Sequence, residues 1–457
     1  MTTRNGATSL EGQISQWREY LRRRQALQPV DVAELEDHLR EQVASLTDAG
    51  LTEDEAFLVA VKRMGELDAL SREFAREHSE RLWKQLVVVA PSGPGEPGTQ
   101  AHRDAAVAFG LAAAAAVAIK VPTLFGLHLD GDAGFYARNL SLFVLPLLTA
   151  YFVWKRRLGG STVVWLALAF VAAALFANVY PFTEGGSTQA LTALHLPIAL
   201  WLVVGVAYAG GRWSLVTGRM DFVRFSGELA IYYVLIALGG GVLMAFIALI
   251  FQAIGVDAEP SFETWLLPCG AVAAFIVAAW LVEAKQSVIE NMAPVLTRLF
   301  TPLFAAALLV FLVTLVWTGR GVDVERDVLI AFDLLLVVVL GLLLYSVSAR
   351  DPQAPPGVFD VLQVVLVVSA LLADAVALWA IGARITEFGF TPNRVAALGE
   401  NIVLLVNLMW SAVLSVGFLR GRVPFTRLEK WQTDYLPVYA AWAAAVVVAF
   451  PPLFDFI

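Results

Sequence analysis

From residue 105 onward the chain repeats one pattern about eleven times: an apolar segment of roughly 17 to 25 residues, then a short polar connection. At a rise of ~1.5 Å per residue, a helix of that length crosses a ~30 Å hydrocarbon core. No water satisfies the backbone inside that core, so each span has to be a helix whose N–H and C=O groups bond within the segment. The segments fall near residues 105–129, 135–154, 161–181, 188–209, 226–254, 264–283, 299–318, 327–347, 358–382, 397–419 and 435–454. The expected fold is all-α, a polytopic transmembrane bundle of about eleven helices over residues 105–457, preceded by a small soluble helical domain. With 58% apolar and only 16% charged residues, the composition excludes an ordinary soluble enzyme.

Charge divides the chain in the same place. Residues 1–104 hold 13 Lys and Arg against 18 Asp and Glu, whereas the rest holds 19 against 22 over more than three times the length. No apolar stretch precedes the polar region, so a cleavable signal peptide is not expected and the head belongs in the cytosol. The loops that then fall on the cytosolic side carry 13 basic residues, among them Lys155, Arg156, Arg420 and Arg422, and the opposite loops five. This bias predicts the N-terminus inside and the C-terminus outside. Arg outnumbers Lys 26 to 6, which points to a bacterial coding bias and so to the cytoplasmic membrane of a bacterium. The bilayer is the first expected partner. An acidic head without a basic stripe gives nucleic acid no footing, and the oligomeric state is not legible.

Residues 1–88 read as the head. Apolar residues recur at three- and four-residue spacing on a charged background, which predicts four amphipathic helices. The stripes are Ile14, Trp17 and Leu21, then Leu35, Leu39, Val43 and Leu46, then Phe57, Ala60, Val61 and Met64, and last Leu67, Leu70, Phe74 and Leu82. Gly50 stops the second helix, and Thr52 with Glu55 forms a capping box for the third. Residues 89–104 follow as a linker, whose run PSGPGEPGTQ is predicted to be non-helical and to act as a tether.

Polar residues inside the spans are costly and therefore informative. Lys120 lies ~13 Å below the expected outer end of the first span, Asp374 ~12 Å and Asp333 ~9 Å below theirs, and His195 ~10 Å below its own. Glu400 and Asn401 enter the tenth span within its first turns, with Arg394 just before them. Charges at matching depth should pair or line a wet cavity. The expectation is an outward-facing polar pocket of Lys120, His195, Asp333, Asp374, Arg394, Glu400 and Asn401, with Lys120 neutralised by one of the carboxylates. A sealed structural ion pair is the competing reading. A second polar cluster, Arg224, Glu228, Glu283, Lys285 and Glu290, falls on the cytosolic side, as a salt-bridged interfacial helix or a docking surface for the head.

Gly239, Gly240 and Gly241 interrupt the fifth span, for close helix approach or local unwinding. The single cysteine, Cys269, reads as a small buried hydrophobe. No phosphate loop, GxSxG elbow, HExxH or CxxC occurs, so no catalytic set, cofactor or metal is expected.

Two stretches carry family likeness. Glu34 to Ala75, with its AGLTEDEA turn and RMG step, resembles the helical prefix domain found ahead of bacterial permease-like membrane regions. That resemblance implies a regulatory or protein-binding module with a cytosolic partner. RFSGELAIYYVLIALGGGVL, WLVEAKQSVIENMAPVLTRLFTPLF and FGFTPNRVAALGENIVLLVNL, with the terminal FLRGRVPFTRLEKWQTDYLPVYAAWAAAVVVAFPPLF, resemble the bacterial multi-pass membrane proteins called domain of unknown function 4153. The likeness implies a membrane fold and no established chemistry. Sensing or signalling at the cell envelope is the leading functional expectation, transport through the polar pocket the alternative, and an assembly scaffold the third.

Overall fold

The computed structural model is described for residues 10–22, 29–48, 50–64, 97–253, 262–284, 293–318 and 326–457. All regular structure among these residues is helical, and the chain divides into two compact units, Met1–Gln100 and Ala101–Ile457.

In the first unit, α1 (Leu10–Arg22), α2 (Pro29–Asp48) and α3 (Glu53–Met64) pack around Ile14, Trp17, Leu39, Val43, Phe57 and Val61. These are the apolar stripes of the sequence, turned toward one another to leave water. Gly50, at φ +97°, ends α2 in the left-handed region that glycine enters without a Cβ penalty. The fourth expected head helix, with Leu67, Leu70, Phe74 and Leu82, lies outside the described residues.

In the second unit eleven helices follow: α4 (Pro97–Ala118), α5 (Ala133–Arg156), α6 (Gly160–Val179), α7 (Ser187–Tyr208), α8 (Val216–Ala253), α9 (Leu267–Ala284), α10 (Ala293–Thr318), α11 (Arg326–Ala349), α12 (Val358–Phe388), α13 (Pro392–Leu419) and α14 (Phe425–Leu453). Ten helical segments among the described residues are long and apolar enough to cross a membrane, and α11 adds a shorter apolar stretch, Asp333–Ala349. Leu124, Trp165, Leu238, Phe246, Val310 and Trp379 stand exposed on the surface of this unit. Water would penalise so much apolar surface, and lipid does not.

Two expectations are corrected here. Residues 97–104 were expected to be linker, yet α4 opens at Pro97, because proline at the first helical position gives up only an N–H that has no intrahelical partner. The first span was expected to run to Leu129 as α-helix. The α-helix stops at Ala118, and a short 3-10 turn, Val121–Phe125, carries the membrane-length segment on to Phe125, since Pro122 supplies no N–H to continue the ladder.

The helices of the second unit form two packed groups. One gathers α5, α6, α7 and α9 around Leu148, Tyr151, Phe152 and Val204; the other gathers α10 to α13 around Leu308, Val339, Val367 and Leu408. Two helices belong to both. α8 sends Phe222 and Phe225 into the first and Met220 and Val223 into the second, and α14 sends Val447 into the first and Leu428 and Leu436 into the second.

Candidate functional site

Between the two groups lies a cavity of about 670 Å³, within the ~300–1,000 Å³ of small-molecule sites. Its walls come from α5, α7, α8, α9, α11, α13 and α14, so both groups face it. They are mostly aliphatic and aromatic, with Trp201, Tyr233, Phe275, Leu340, Tyr439 and Trp442 among them. Gly341 on α11 keeps one wall low, because a Cβ there would meet nothing within 4 Å. Gly399 acts oppositely. The Trp442 indole packs into the space that a Cβ at Gly399 would take, which brings α14 close against α13.

Few polar groups reach this space. The His195 ring bonds the Leu191 carbonyl through Nδ1 at 2.9 Å. A carbonyl only accepts, so in the neutral ring Nδ1 carries the proton and Nε2 is left as an acceptor. Glu400, half-buried, lines the same cavity. The neighbouring residue turns elsewhere: Asn401 donates from Nδ2 to Asp333 Oδ1 at 2.9 Å and to the Ala397 carbonyl at 2.8 Å. Asp333 also lies within electrostatic range of both Asp374 and Glu400. Asp374 is fully buried at 0% exposure, and neither of its carboxyl oxygens has a hydrogen-bond partner among the described residues. Three acids on α11, α12 and α13 thus stand together, and no cation pairs with any of them among the described residues. The group offers no metal site there either.

Of the seven residues expected in an outer pocket, His195 and Glu400 line the cavity, and Asp333, Asp374 and Asn401 stand behind Glu400. The cations go elsewhere. Lys120 was expected to meet a carboxylate; it sits on the turn after α4, donates to the Thr264 carbonyl and lies 4.6 Å from the centre of the Trp265 ring. Both partners belong to a π-helical turn, Phe262–Leu266, that opens α9. Arg394 donates to the Phe388 and Gly389 carbonyls at 3.0 and 2.9 Å. It caps the C-terminus of α12, where the helix dipole favours a cation.

The second cluster is partly assembled. Glu283, its side chain 2% exposed, receives Arg156 at 3.0 Å and Lys155 at 3.2 Å, while Arg224 donates to the Ser348 carbonyl at 2.5 Å. Glu228 is buried, and Lys285 and Glu290 lie outside the described residues. The glycines of the fifth span do neither thing expected of them. α8 runs through Gly239, Gly240 and Gly241 without a break, and a Cβ at each would meet nothing within 4 Å.

Sequence reasoning passed over several polar pairings. Asn407 donates to Gln432 at 3.2 Å and to the Tyr439 hydroxyl at 2.7 Å, and Gln432 donates to Ser411 at 2.6 Å, a buried network between α13 and α14. Asn139 and Asn178 exchange amide hydrogen bonds at 2.9 and 2.7 Å between α5 and α6. Arg350 holds Asp360 at 2.7 Å under the rings of Phe418 and Phe425. Uncharged amides inside apolar runs were the available signal, because such groups need partners where water is absent.

Ten membrane-length helices among the described residues and an extensive exposed apolar surface define an integral, multi-pass membrane protein. No family model, curated protein or solved structure matches the chain.

Proposed function

We propose that the membrane region handles a small molecule in the cavity between its two helix groups and acts as a transporter or permease. The carrying observation is that seven helices from both groups wall one cavity of about 670 Å³ with few polar groups, His195 and Glu400 among them. Its rim residues Leu140, Ile198 and Val337 are exposed, so an apolar molecule can reach it from the surface of the bundle. The cavity shifts the weight from sensing to transport. In this reading the head faces the cytosol as a regulatory or docking module for a protein partner, in a bacterial cytoplasmic membrane. Membership of the family called domain of unknown function 4153, carried by the stretches from Arg224, Trp280 and Phe388, is part of the same proposal.

The test is uptake into proteoliposomes of a panel of neutral, anionic and cationic amphiphiles. Gly341→Phe fills the cavity at a position with open space, so it should cut uptake at least tenfold while the protein stays folded. Absence of uptake for the whole panel, relative to protein-free vesicles, overturns the transport reading.

A further inference from the structure

We infer that the cavity takes a lipophilic organic cation, whose charge sits beside Glu400 and whose apolar body lies against the aromatic walls. The inference rests on the cavity reading above and adds the sign and character of the ligand.

Charge complementarity carries it. Glu400 is the one carboxylate among the residues that line a mostly apolar cavity, and no described residue pairs it with a cation. Asp333 stands within electrostatic range behind it, and Asp374 within range of Asp333, so a second anion in the cavity would add repulsion to an already crowded set. A cation offsets it. The two basic residues that sequence depth brings nearest are engaged elsewhere, Lys120 on Thr264 and Trp265, Arg394 on Phe388 and Gly389. With its Nδ1 proton on the Leu191 carbonyl, the neutral His195 ring keeps Nε2 as an acceptor, while Ser141 and the Trp442 indole N–H, without a partner among the described residues, are neutral groups that do not compensate a carboxylate's charge. Around these acceptors stand Trp201, Tyr233, Phe275, Tyr439 and Trp442. Their ring faces attract an organic cation, most strongly where water is excluded. A strongly hydrated ion would lose its water here without a replacement shell, because oxygen ligands are too few. The matching chemistry is a diffuse positive charge on a bulky apolar frame.

The experiment is equilibrium binding to the full-length protein in phosphatidylcholine nanodiscs, against protein-free nanodiscs. Three probes of similar shape are compared: tetraphenylphosphonium, tetraphenylborate and the uncharged triphenylphosphine oxide. Wild type should bind the phosphonium at least tenfold more tightly than the other two. Glu400→Gln should weaken phosphonium binding at least tenfold and leave the neutral probe unchanged, which also reports that the variant is folded; Glu400→Asp should keep the preference. Equal binding of all three probes, or phosphonium binding unaffected in Glu400→Gln, overturns the inference and leaves the cavity reading standing. If no probe binds above protein-free nanodiscs, both fall together.

Discussion

A residue's surroundings decide what its charge is worth. Thr52 and Glu55 make the capping box reciprocally: Glu55 Oε2 accepts from the Thr52 N–H at 3.0 Å and from its hydroxyl at 2.7 Å. These bonds hold the Glu55 carboxyl below its ordinary value of 4.5. A depressed acid contributes stability that is present above the unfolded value and lost as pH falls through the folded one. The first turn of α3 should therefore loosen below about pH 4.5. Thr52→Ala should cost about 1 kcal/mol at neutral pH and return the Glu55 titration, followed by carbon NMR, toward its ordinary range. Glu283 presents a different case, a nearly buried acid with two cations that keep some water. Glu283→Ala leaves Lys155 with Asp104 at 3.8 Å and Arg156 with the Tyr208 carbonyl at 3.2 Å, so the loss should be about 3 kcal/mol, the low end for a broken buried pair. Thermal unfolding in detergent reads it, and a variant as stable as wild type would show that solvent already carries those cations.

Helices show how far a pattern along the chain can be trusted. Apolar length marked the spans, and the observed helices follow them closely because hydrocarbon forbids any unpaired backbone. Glycine was a poorer guide. The triplet in α8 lies in an exposed stretch of a 38-residue helix, about 57 Å long at ~1.5 Å per residue, whereas single glycines at 205, 227 and 399 admit aromatic rings. Gly240→Ala should thus stabilise by about 0.5–1 kcal/mol through helix propensity alone. A fall in Tm would reveal a partner helix against that face. The first span carried a similar lesson: its hydropathy continues past Ala118, but Pro122 ends the α-helix, and Lys120 falls on the turn that follows it.

At the scale of the molecule the chain divides into a helical head and a unit that carries the membrane-length helices. Every residue that lines the cavity comes from Leu140 to Ala443. Removing residues 1–96 should accordingly leave phosphonium binding within twofold of the full chain, and a larger loss would make the head part of the binding unit. If the head regulates, only the dependence on its partner disappears. Amino-acid order alone determined the class of object, a helical head and a polytopic bundle, because apolar length and helical period are local properties that the bilayer and water enforce on any chain. It also brought Asp333, Asp374, Glu400 and Asn401 to a common level, since depth follows from counting residues. Which of them meet was decided only by tertiary structure. Depth says nothing about the direction a side chain faces around its helix or which helix packs there, and those choices sent Lys120 to Thr264, Arg394 to the end of α12, and Glu400 to the cavity.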